Sequence, residues 1–189
     1  MLVYKIYKRL SGWFRRWKTQ KENELFKERV EKSEGSIGRG VEIGYNVQIS
    51  GIDGVDFGDN VYIGSGSFIR AKGGLKIGDH ATLSRNLVLY TINHDYEGER
   101  IPYDESYISD PVTISEGVWV GMNVTIAPGT TIGKGAIIGL GTRVFGDIPP
   151  YSIVGSPDWQ QIKSRDPDRY ERLKTREAFA DDDGFPANL

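Results

Sequence analysis

The side chains that could carry acid–base chemistry are few, because the 189-residue chain contains two histidines, His80 and His94, and no cysteine. The absence of cysteine excludes disulfides, thiolate metal sites and a cysteine nucleophile. A zinc site needs at least three protein ligands, so a three-histidine centre is excluded and we expect no bound metal. Residues 64–67, Gly-Ser-Gly-Ser, do not form the Gly-x-Ser-x-Gly turn that would expose a serine nucleophile.

His94 is the candidate general base. Imidazole titrates near neutral pH, which makes histidine the side chain used most often to remove a proton. His94 stands where a regular repeat stops and a long segment without that repeat begins. A single histidine more often packs or lies on the surface, but this position favours catalysis. His80 instead occupies a turn position of the repeat, and we interpret it as a turn residue.

The repeat that positions His94 has a period of six residues. Over residues 114–144 an aliphatic side chain returns at Ile114, Val120, Ile126, Ile132, Ile138 and Val144. Three positions after each of the first five stands Gly117, Asn123, Gly129, Gly135 or Gly141. A type II turn needs a positive φ at its third residue, which glycine adopts without strain and asparagine tolerates. Each unit therefore predicts a short strand and a turn, as in a hexapeptide β-helix.

The same period begins at Ile37. The expected inward column is Ile37, Ile43, Ile49, Phe57, Ile63, Ile69, Ile77, Leu83 and Leu89, and the turn column is Gly40, Asn46, Asn60, Gly66, His80 and Asn86. Continuing the count places Asn93 in the inward column and His94 in the outward one. The coils resume at Ile114 and are expected to end near Ile148, which makes about five coils.

The N-terminal segment, residues 1–34, is predicted to be a basic amphipathic helix. Its first 21 residues hold seven Lys or Arg and no acid, and aromatic residues recur at helical spacing, as at Phe14 and Trp17. Through residues 1–33 such a helix can bind an anionic membrane surface. The alternative is a helix that packs on its own solenoid or on a neighbouring subunit and covers an open strand edge.

Residues 35–155 form the predicted β-helix, with an excursion at 95–113 that carries six acids and the tyrosines Tyr96, Tyr103 and Tyr107. Long loops on rigid scaffolds are often functional, and the alternative is a solvated loop that contacts a neighbouring subunit.

Residues 156–189 are predicted to form a turn, a short helix and an acidic tail. Asp166 and Pro167 provide a capping side chain and a first helical residue. In this helix we expect Tyr170 and Leu173 to face inward.

The composition gives little sign of a macromolecular partner. A net charge of −2 implies no general affinity for polyanions, so we expect no nucleic acid. The N-terminus lacks the apolar core of a signal peptide, and no apolar run is long enough to span a bilayer. We expect a cytoplasmic protein, peripheral at the inner face of the membrane if residues 1–33 bind lipid.

The motifs in combination resemble a known family. They are the hexapeptide run, Ile-Asn-His-Asp at 92–95, Gly-Val-Trp-Val-Gly at 117–121, Ile-Ala-Pro-Gly at 126–129, Asp-Ile-Pro-Pro at 147–150 and Gly-Ser-Pro at 155–157. Together they resemble the hexapeptide-repeat acyltransferases, in the branch of galactoside, maltose and xenobiotic O-acetyltransferases, over about residues 37–165. The resemblance implies a left-handed parallel β-helix, a homotrimer with active sites between subunits, acetyl-CoA as donor, and His94 as the catalytic histidine.

Further site residues are predicted from the resemblance and from the acidic, tyrosine-rich loop. Asp95, Tyr103 and Trp119 would bind substrate, and the coenzyme would contact Trp119, Gly121, Met122, Leu140, Phe145, Lys163 and Arg165. Four segments depart from the family pattern, and one of them is Gly-Ser-Pro-Asp at 155–158, where Gly-Asn-Pro-Ala is usual. Met122 replaces a common serine, so only its backbone N–H could stabilise an oxyanion. Phe145 and Gly146 replace Thr-Lys, and the acceptor-binding asparagine expected near residues 64–67 is absent.

The predicted function is acetyl-CoA-dependent O-acetylation of a sugar or a surface-polysaccharide precursor. The acidic, tyrosine-rich loop suits polyhydroxylated acceptors, whose rings stack on aromatic side chains while carboxylates accept hydroxyl protons. Within enzymes, the alternative is O-acetylation of an antibiotic or N-acetylation of an amino sugar. The alternative of another class is a non-catalytic scaffold that retains the solenoid for assembly.

Overall fold

The computed structural model describes residues 2–95, 103, 105–155, 160–164 and 166–176. The chain folds as a left-handed parallel β-helix of about six coils with a helix at each terminus, so the predicted fold class is confirmed. The six coils exceed the five expected because the repeat continues past Ile148.

Three parallel sheets form the walls of the solenoid. Sheet 1 contains β1 (Ser36–Ile37), β4 (Val55–Phe57), β7 (Leu75–Ile77), β12 (Val112–Ile114), β15 (Thr131–Ile132) and β18 (Asp147–Ile148). Sheet 2 contains β2 (Glu42–Ile43), β5 (Tyr62–Ile63), β8 (Thr82–Leu83), β13 (Trp119–Val120), β16 (Ile137–Ile138), β19 (Ser152–Gly155) and the antiparallel β20 (Gln160–Ser164). Sheet 3 contains β3 (Gln48–Ser50), β6 (Phe68–Arg70), β9 (Val88–Tyr90), β14 (Thr125–Ile126) and β17 (Arg143–Val144).

Four further elements of the described chain lie outside these walls. They are helix α1 (Leu2–Glu31), a 3₁₀ turn (Ile52–Gly54), the antiparallel pair β10 (Ile92–His94) and β11 (Tyr107–Ser109), and helix α2 (Pro167–Thr175). Each coil turns from sheet 1 to sheet 2 at corner 1, from sheet 2 to sheet 3 at corner 2, and into the next coil at corner 3. Coils are numbered 1 to 6 along the chain.

Each strand pairs with the equivalent strand one coil later, so inward side chains stack in columns. Ile63, for example, lies beside Leu83, and Val120 continues the same column. All predicted inward residues from Ile43 to Leu89 are buried, whereas Ile37 at the open end is half-buried. A fully buried aliphatic side chain contributes about 1.5–3 kcal/mol, so these columns are the main source of stability.

The turn column is confirmed at every predicted position. All eleven residues have a φ between 55° and 76°, including the asparagines and His80, whose φ is 56°. A backbone hydrogen bond closes two of these turns, from Ala136 N to Gly133 O at 3.1 Å and from Thr142 N to Gly139 O at 3.3 Å. His80 is therefore a turn residue, as its place in the repeat predicts.

Three details of the predicted register are wrong. Ile92, not Asn93, is buried, because the chain leaves the repeat at corner 3 and the six-residue count no longer applies. The coils do not end near Ile148, since β19 adds a further strand with Val154 buried and β20 then pairs with it. Leu173 is 38% exposed because α2 turns Tyr170, not Leu173, toward the solenoid.

The C-terminal half of α1 closes the first coil. Val30 is fully buried, and the Phe26 ring packs edge-on against Phe57 with centroids 5.6 Å apart. The Asn23 amide substitutes for a neighbouring strand: its Oδ1 accepts from Ile43 N at 2.7 Å and its Nδ2 donates to Ile43 O at 2.6 Å. These bonds satisfy backbone groups that an open sheet edge would leave unpaired. Covering of an open strand edge is thus confirmed for this half of the helix.

Helix α2 packs on corner 1. The Asp166 carboxylate accepts from Arg169 N at 3.0 Å and caps the helix, as predicted. The Tyr170 ring lies 5.4 Å from that of Tyr151, against the turn at Gly135. Lys134 donates to Glu171 at 2.7 Å, and this hydrogen bond holds the pKa of Glu171 below its ordinary value. Within the residues the structure describes, neither helix is long and apolar enough to cross a membrane.

The left-handed conformation of His80 leads to a stability prediction. Because asparagine adopts positive φ readily, His80→Asn should leave the free energy of unfolding within a few tenths of a kcal/mol. His80→Val should lower it by about 1–2 kcal/mol, since a β-branched residue is strained at this φ. Denaturant titration of both variants measures the difference. Equal stability of the two would contradict the assigned turn.

Candidate active site

A β-hairpin leaves the solenoid at corner 3 of coil 3. Its strands β10 and β11 pair antiparallel, with His94 opposite Tyr107. Thr91 anchors the base of the hairpin: its hydroxyl donates to Arg70 O at 3.1 Å and accepts from Gly73 N at 2.7 Å. At the other end of the hairpin, Asp110 N donates a hydrogen bond to Thr91 O at 2.9 Å. The hairpin base is therefore held rigidly on the coil that precedes it.

The His94 imidazole lies against two tyrosine rings. Its centroid is 3.8 Å from that of Tyr103, nearly parallel at 20°, and 4.5 Å from that of Tyr107. His94 is half-buried, whereas both tyrosines are close to half exposed. Aromatic stacking of this kind contributes about 0.5–1.5 kcal/mol per pair beyond burial. The two rings thus restrict the imidazole to one orientation at the edge of the solenoid.

The Nδ1 atom of His94 is buried and has no hydrogen-bond partner among the described residues. Catalytic histidines are commonly oriented by an acceptor for the second ring nitrogen. Here the ring position comes from the flanking tyrosines instead. No acceptor in the described part of the chain determines which nitrogen carries the proton.

Three predicted site residues lie together on the hairpin. Asp95 follows His94, is half-buried, and donates its backbone N–H to Ser106 O at 3.2 Å. Tyr103 covers one face of the His94 ring. The imidazole and the Tyr103 phenol are thus in contact, and the Asp95 carboxylate belongs to the next residue along the strand. Groups of these types can exchange hydrogen bonds with the hydroxyls of a bound molecule.

Trp119 lies on a different wall. It points outward from β13 in sheet 2, is 53% exposed, and donates its indole N–H to Ser84 Oγ at 3.4 Å. Sheet 2 also carries Tyr62 in the same outward row, and burial raises the pKa of this phenol. One copy of the chain does not bring Trp119 to the hairpin, because His94 follows a strand of sheet 3.

Four predicted coenzyme-binding residues border sheet 3. Gly121 and Met122 form corner 2 of coil 4, and Leu140 occupies the same corner of coil 5. Phe145 is at corner 3 of coil 5, the corner from which the hairpin leaves two coils earlier. Met122, Leu140 and Phe145 are 40%, 66% and 58% exposed, so each is accessible to a ligand. Coils are about 4.8 Å apart, which puts Phe145 roughly 10 Å along the axis from the hairpin base.

The backbone N–H of Met122 has no acceptor within hydrogen-bonding distance among the described residues, whereas Met122 O accepts from Gly141 N at 2.8 Å. Gly121 lies where a side chain would collide with the Leu140 backbone, which explains the glycine. The corner therefore offers one free backbone donor on a rigid turn.

The outer face of sheet 3 carries an aromatic and basic strip. Phe68 and Tyr90 pack with ring centroids 5.9 Å apart, and the Arg70 guanidinium lies 5.6 Å from the centre of the Tyr90 ring. Phe68 and Val88 are each 36% exposed, and Arg143 is exposed further along the axis. This face separates the corner with Met122 from the corner with the hairpin.

The remaining predicted residues are at the C-terminal end. Lys163 lies on β20, which pairs with β19 at the last coil, and Arg165 lies outside the described residues. In the described part of the chain no cluster of three or more His, Cys, Asp or Glu could hold a metal ion.

Sequence reasoning did not single out Tyr107 as a site residue or Ser84 as the partner of Trp119. Tyr107 meets His94 only because of the hairpin register, which has no six-residue signal. Ser84 contacts Trp119 because it lies at corner 2, two residues after Thr82, the residue paired with Trp119 in sheet 2. The six-residue repeat aligns these positions, so this contact could have been predicted from the sequence.

Two family models match the solenoid. The model described as bacterial transferase hexapeptide (six repeats) matches residues 111–146. The model described as hexapeptide repeat of succinyl-transferase matches residues 35–71 and 54–91. The matches fall on both sides of the hairpin, as expected if the hairpin is an insertion in a regular repeat. No curated protein sequence matches the chain.

Several solved structures share the fold. A hexapeptide-repeat acetyltransferase from Vibrio cholerae O1 biovar eltor, complexed with acetyl coenzyme A, is 25% identical with a TM-score of 0.69 over 77% of this chain and 79% of that chain. A galactoside acetyltransferase in complex with coenzyme A is 26% identical with a TM-score of 0.69 over 89% of this chain and 84% of that one. An N-acyltransferase from Bacillus cereus, 17% identical with a TM-score of 0.62 over 80% and 95%, shares the fold alone.

The stacked arrangement of His94 leads to a spectroscopic prediction. Ring currents from two tyrosines should shift the carbon-bound protons of His94 away from random-coil positions, whereas His80 in its turn serves as internal reference. Tyr103→Ala and Tyr107→Ala should each move the His94 resonances and leave those of His80 in place. Histidine-labelled NMR spectra of the three proteins measure this. His94 resonances that neither substitution moves would contradict the stack.

Proposed function

Because the chain belongs to the hexapeptide-repeat acyltransferase family, we propose that it transfers an acetyl group from acetyl-CoA to a sugar hydroxyl, with His94 as general base. Similarity to two enzymes solved with acetyl coenzyme A or coenzyme A supports the donor. The observation that carries the catalytic assignment is the position of His94, a half-buried imidazole held between two tyrosines where the long hairpin leaves the rigid coils.

The reaction needs a base because a neutral hydroxyl is a weak nucleophile. A ring nitrogen of His94 removes the hydroxyl proton as the acceptor oxygen attacks the thioester carbonyl carbon. The carbon–oxygen bond forms, and the carbonyl oxygen becomes an oxyanion. When the oxyanion collapses, the carbon–sulfur bond breaks and the imidazolium returns its proton to the leaving thiolate. The products are an acetyl ester and coenzyme A with a free thiol.

The oxyanion needs a preorganised donor, and removal of one such donor typically costs 10²–10³ in rate. The Met122 N–H suits this role, because it lies on a rigid turn and has no acceptor in the described part of the chain. A backbone donor also explains how methionine could stand where a serine is common in the family. The exposed side chains of Met122, Leu140 and Phe145 would then contact the coenzyme, with Trp119 beside its pantetheine arm or the acceptor.

The site combines two copies of the chain. Met122 precedes a strand of sheet 3 and His94 follows one, and strands of two or three residues with their turns separate the two ends by roughly 10 Å or more. Trp119 faces outward from another wall. Packing of three prisms side by side would place the His94 hairpin of one copy against the Trp119 and Met122 face of the next, and would cover Phe68 and Trp119. A homotrimer with shared sites is therefore part of the proposal.

A polyhydroxylated acceptor suits the hairpin. Sugar rings stack on exposed phenols such as Tyr103, and the Asp95 carboxylate can accept from a second hydroxyl. A precursor of a surface polysaccharide belongs to this class. The choice of oxygen over nitrogen rests on these hydroxyl-matching groups, and the product decides it: acetyl esters are cleaved by alkaline hydroxylamine, whereas acetamides survive. Products that resist hydroxylamine would favour the amino-sugar alternative.

The two histidines provide a paired kinetic prediction. His94→Ala should lower turnover by about 10²–10⁴, because it removes the group that accepts the hydroxyl proton. His80→Asn should retain wild-type turnover because it preserves the turn. The assay follows free thiol release with a panel of sugar acceptors paired with their amino-sugar counterparts. Retained turnover in His94→Ala would contradict the base assignment.

A further inference from the structure

Helix α1 consists of two parts with different surroundings. From Asn23 onward it is tied to the first coil by hydrogen bonds and by the buried Phe26 and Val30. Lys18 is the most N-terminal residue with a described hydrogen bond to the solenoid, at 3.3 Å to the Tyr45 hydroxyl. The helix before Lys18 includes 16 residues, which corresponds to about 24 Å.

Large aromatic side chains are exposed just before this point. Trp13, Phe14 and Trp17 are 63%, 54% and 48% exposed, and the rings of Phe14 and Trp17 pack together with centroids 5.9 Å apart. We call these three residues the aromatic patch. Burial in the solenoid explains Phe26 and Val30 further along the helix, but it does not explain this patch.

The charge of the helix changes where its surroundings change. The first 21 residues hold seven Lys or Arg and no Asp or Glu, and the first acid is Glu22. Residues 22–34 carry five acids and three basic residues. The uniformly cationic part of the helix is therefore its N-terminal part, and acids appear only where Asn23, Phe26 and Val30 contact the first coil.

We propose that the N-terminal half of α1 binds an anionic lipid surface, with the aromatic patch at the headgroup boundary and the basic side chains against lipid phosphates. Interfacial helices combine exposed Trp or Phe with Lys and Arg in this way. A second copy of the same segment is a poor occupant, because seven like charges on each helix repel. The inference does not depend on the catalytic assignment.

The test uses the full chain and vesicles of phosphatidylcholine with or without phosphatidylglycerol. Wild-type protein should float with the anionic vesicles at low salt, not with the neutral ones, and high salt should release it. Combined Arg9→Gln, Arg15→Gln and Arg16→Gln should weaken partitioning roughly 100-fold, at about fivefold per lost charge. The matched control, Lys27→Gln with Arg29→Gln and Lys32→Gln, removes the same charge from the docked half and should bind like wild type.

The aromatic patch is tested separately by Trp13→Ser, Phe14→Ser and Trp17→Ser together, since serine has a helix propensity close to that of Trp and Phe. This variant should lose roughly tenfold or more in partitioning. Leu25→Ser, which changes an exposed apolar residue of the docked half, is its control and should bind normally. Sedimentation in solution should show an unchanged oligomeric state. Three results would each overturn the proposal: no binding at low salt, equal loss in the controls, or a change of oligomeric state caused by the patch variant.

Discussion

The positive φ at the third residue of each turn is the constraint on which the rest of the structure depends. It lets the chain change direction in the same way at corners 1 and 2 of every coil, so that each strand is stacked on its equivalent one coil later. Only glycine, asparagine and, once, His80 occupy the turn positions predicted from the repeat, because other residues are strained there. Because equivalent strands stack in register, their inward side chains form continuous columns. These columns make a close-packed core in which the coils cannot shift against one another.

A rigid prism determines where function can reside. The short corners have no room for a mobile segment, so the one long excursion among the described coils, at corner 3, is the place where new side chains can be brought to the surface. His94 lies at the base of that excursion and Tyr103 and Tyr107 hold its ring. At corner 2, on the opposite edge of sheet 3, the Met122 N–H likewise lies on a rigid turn. Each half of the proposed site is therefore preorganised, and assembly would join the halves.

Sequence reasoning succeeded where the information is local. The period, the turn column and the capping of α2 each depend on residues a few positions apart, and all are confirmed. It failed where a distant contact decides. Ile92, and not the predicted Asn93, is buried because the chain leaves the repeat before this point. Tyr107 lies beside His94 because of the pairing register of the hairpin, which the six-residue period does not predict. Similarly, composition alone did not separate the half of α1 that closes the first coil from its cationic N-terminal half. The Asn23 bonds to Ile43 locate that division.

The central claim, that each site takes His94 from one copy and Met122 from another, is tested most directly by mixing two inactive proteins. His94→Ala removes the base, and Met122→Pro removes the N–H at a turn position where the chain itself uses Pro128 and Pro150. Arg85→Pro, at the same corner one coil earlier, checks that proline there leaves folding and turnover intact. After the two inactive variants are unfolded together and refolded in equal amounts, roughly a quarter of the sites should be intact, since each residue comes from an unaltered copy half the time. Recovery to about a quarter of wild-type turnover is the predicted result, and a mixture as inactive as its parents would contradict the shared site.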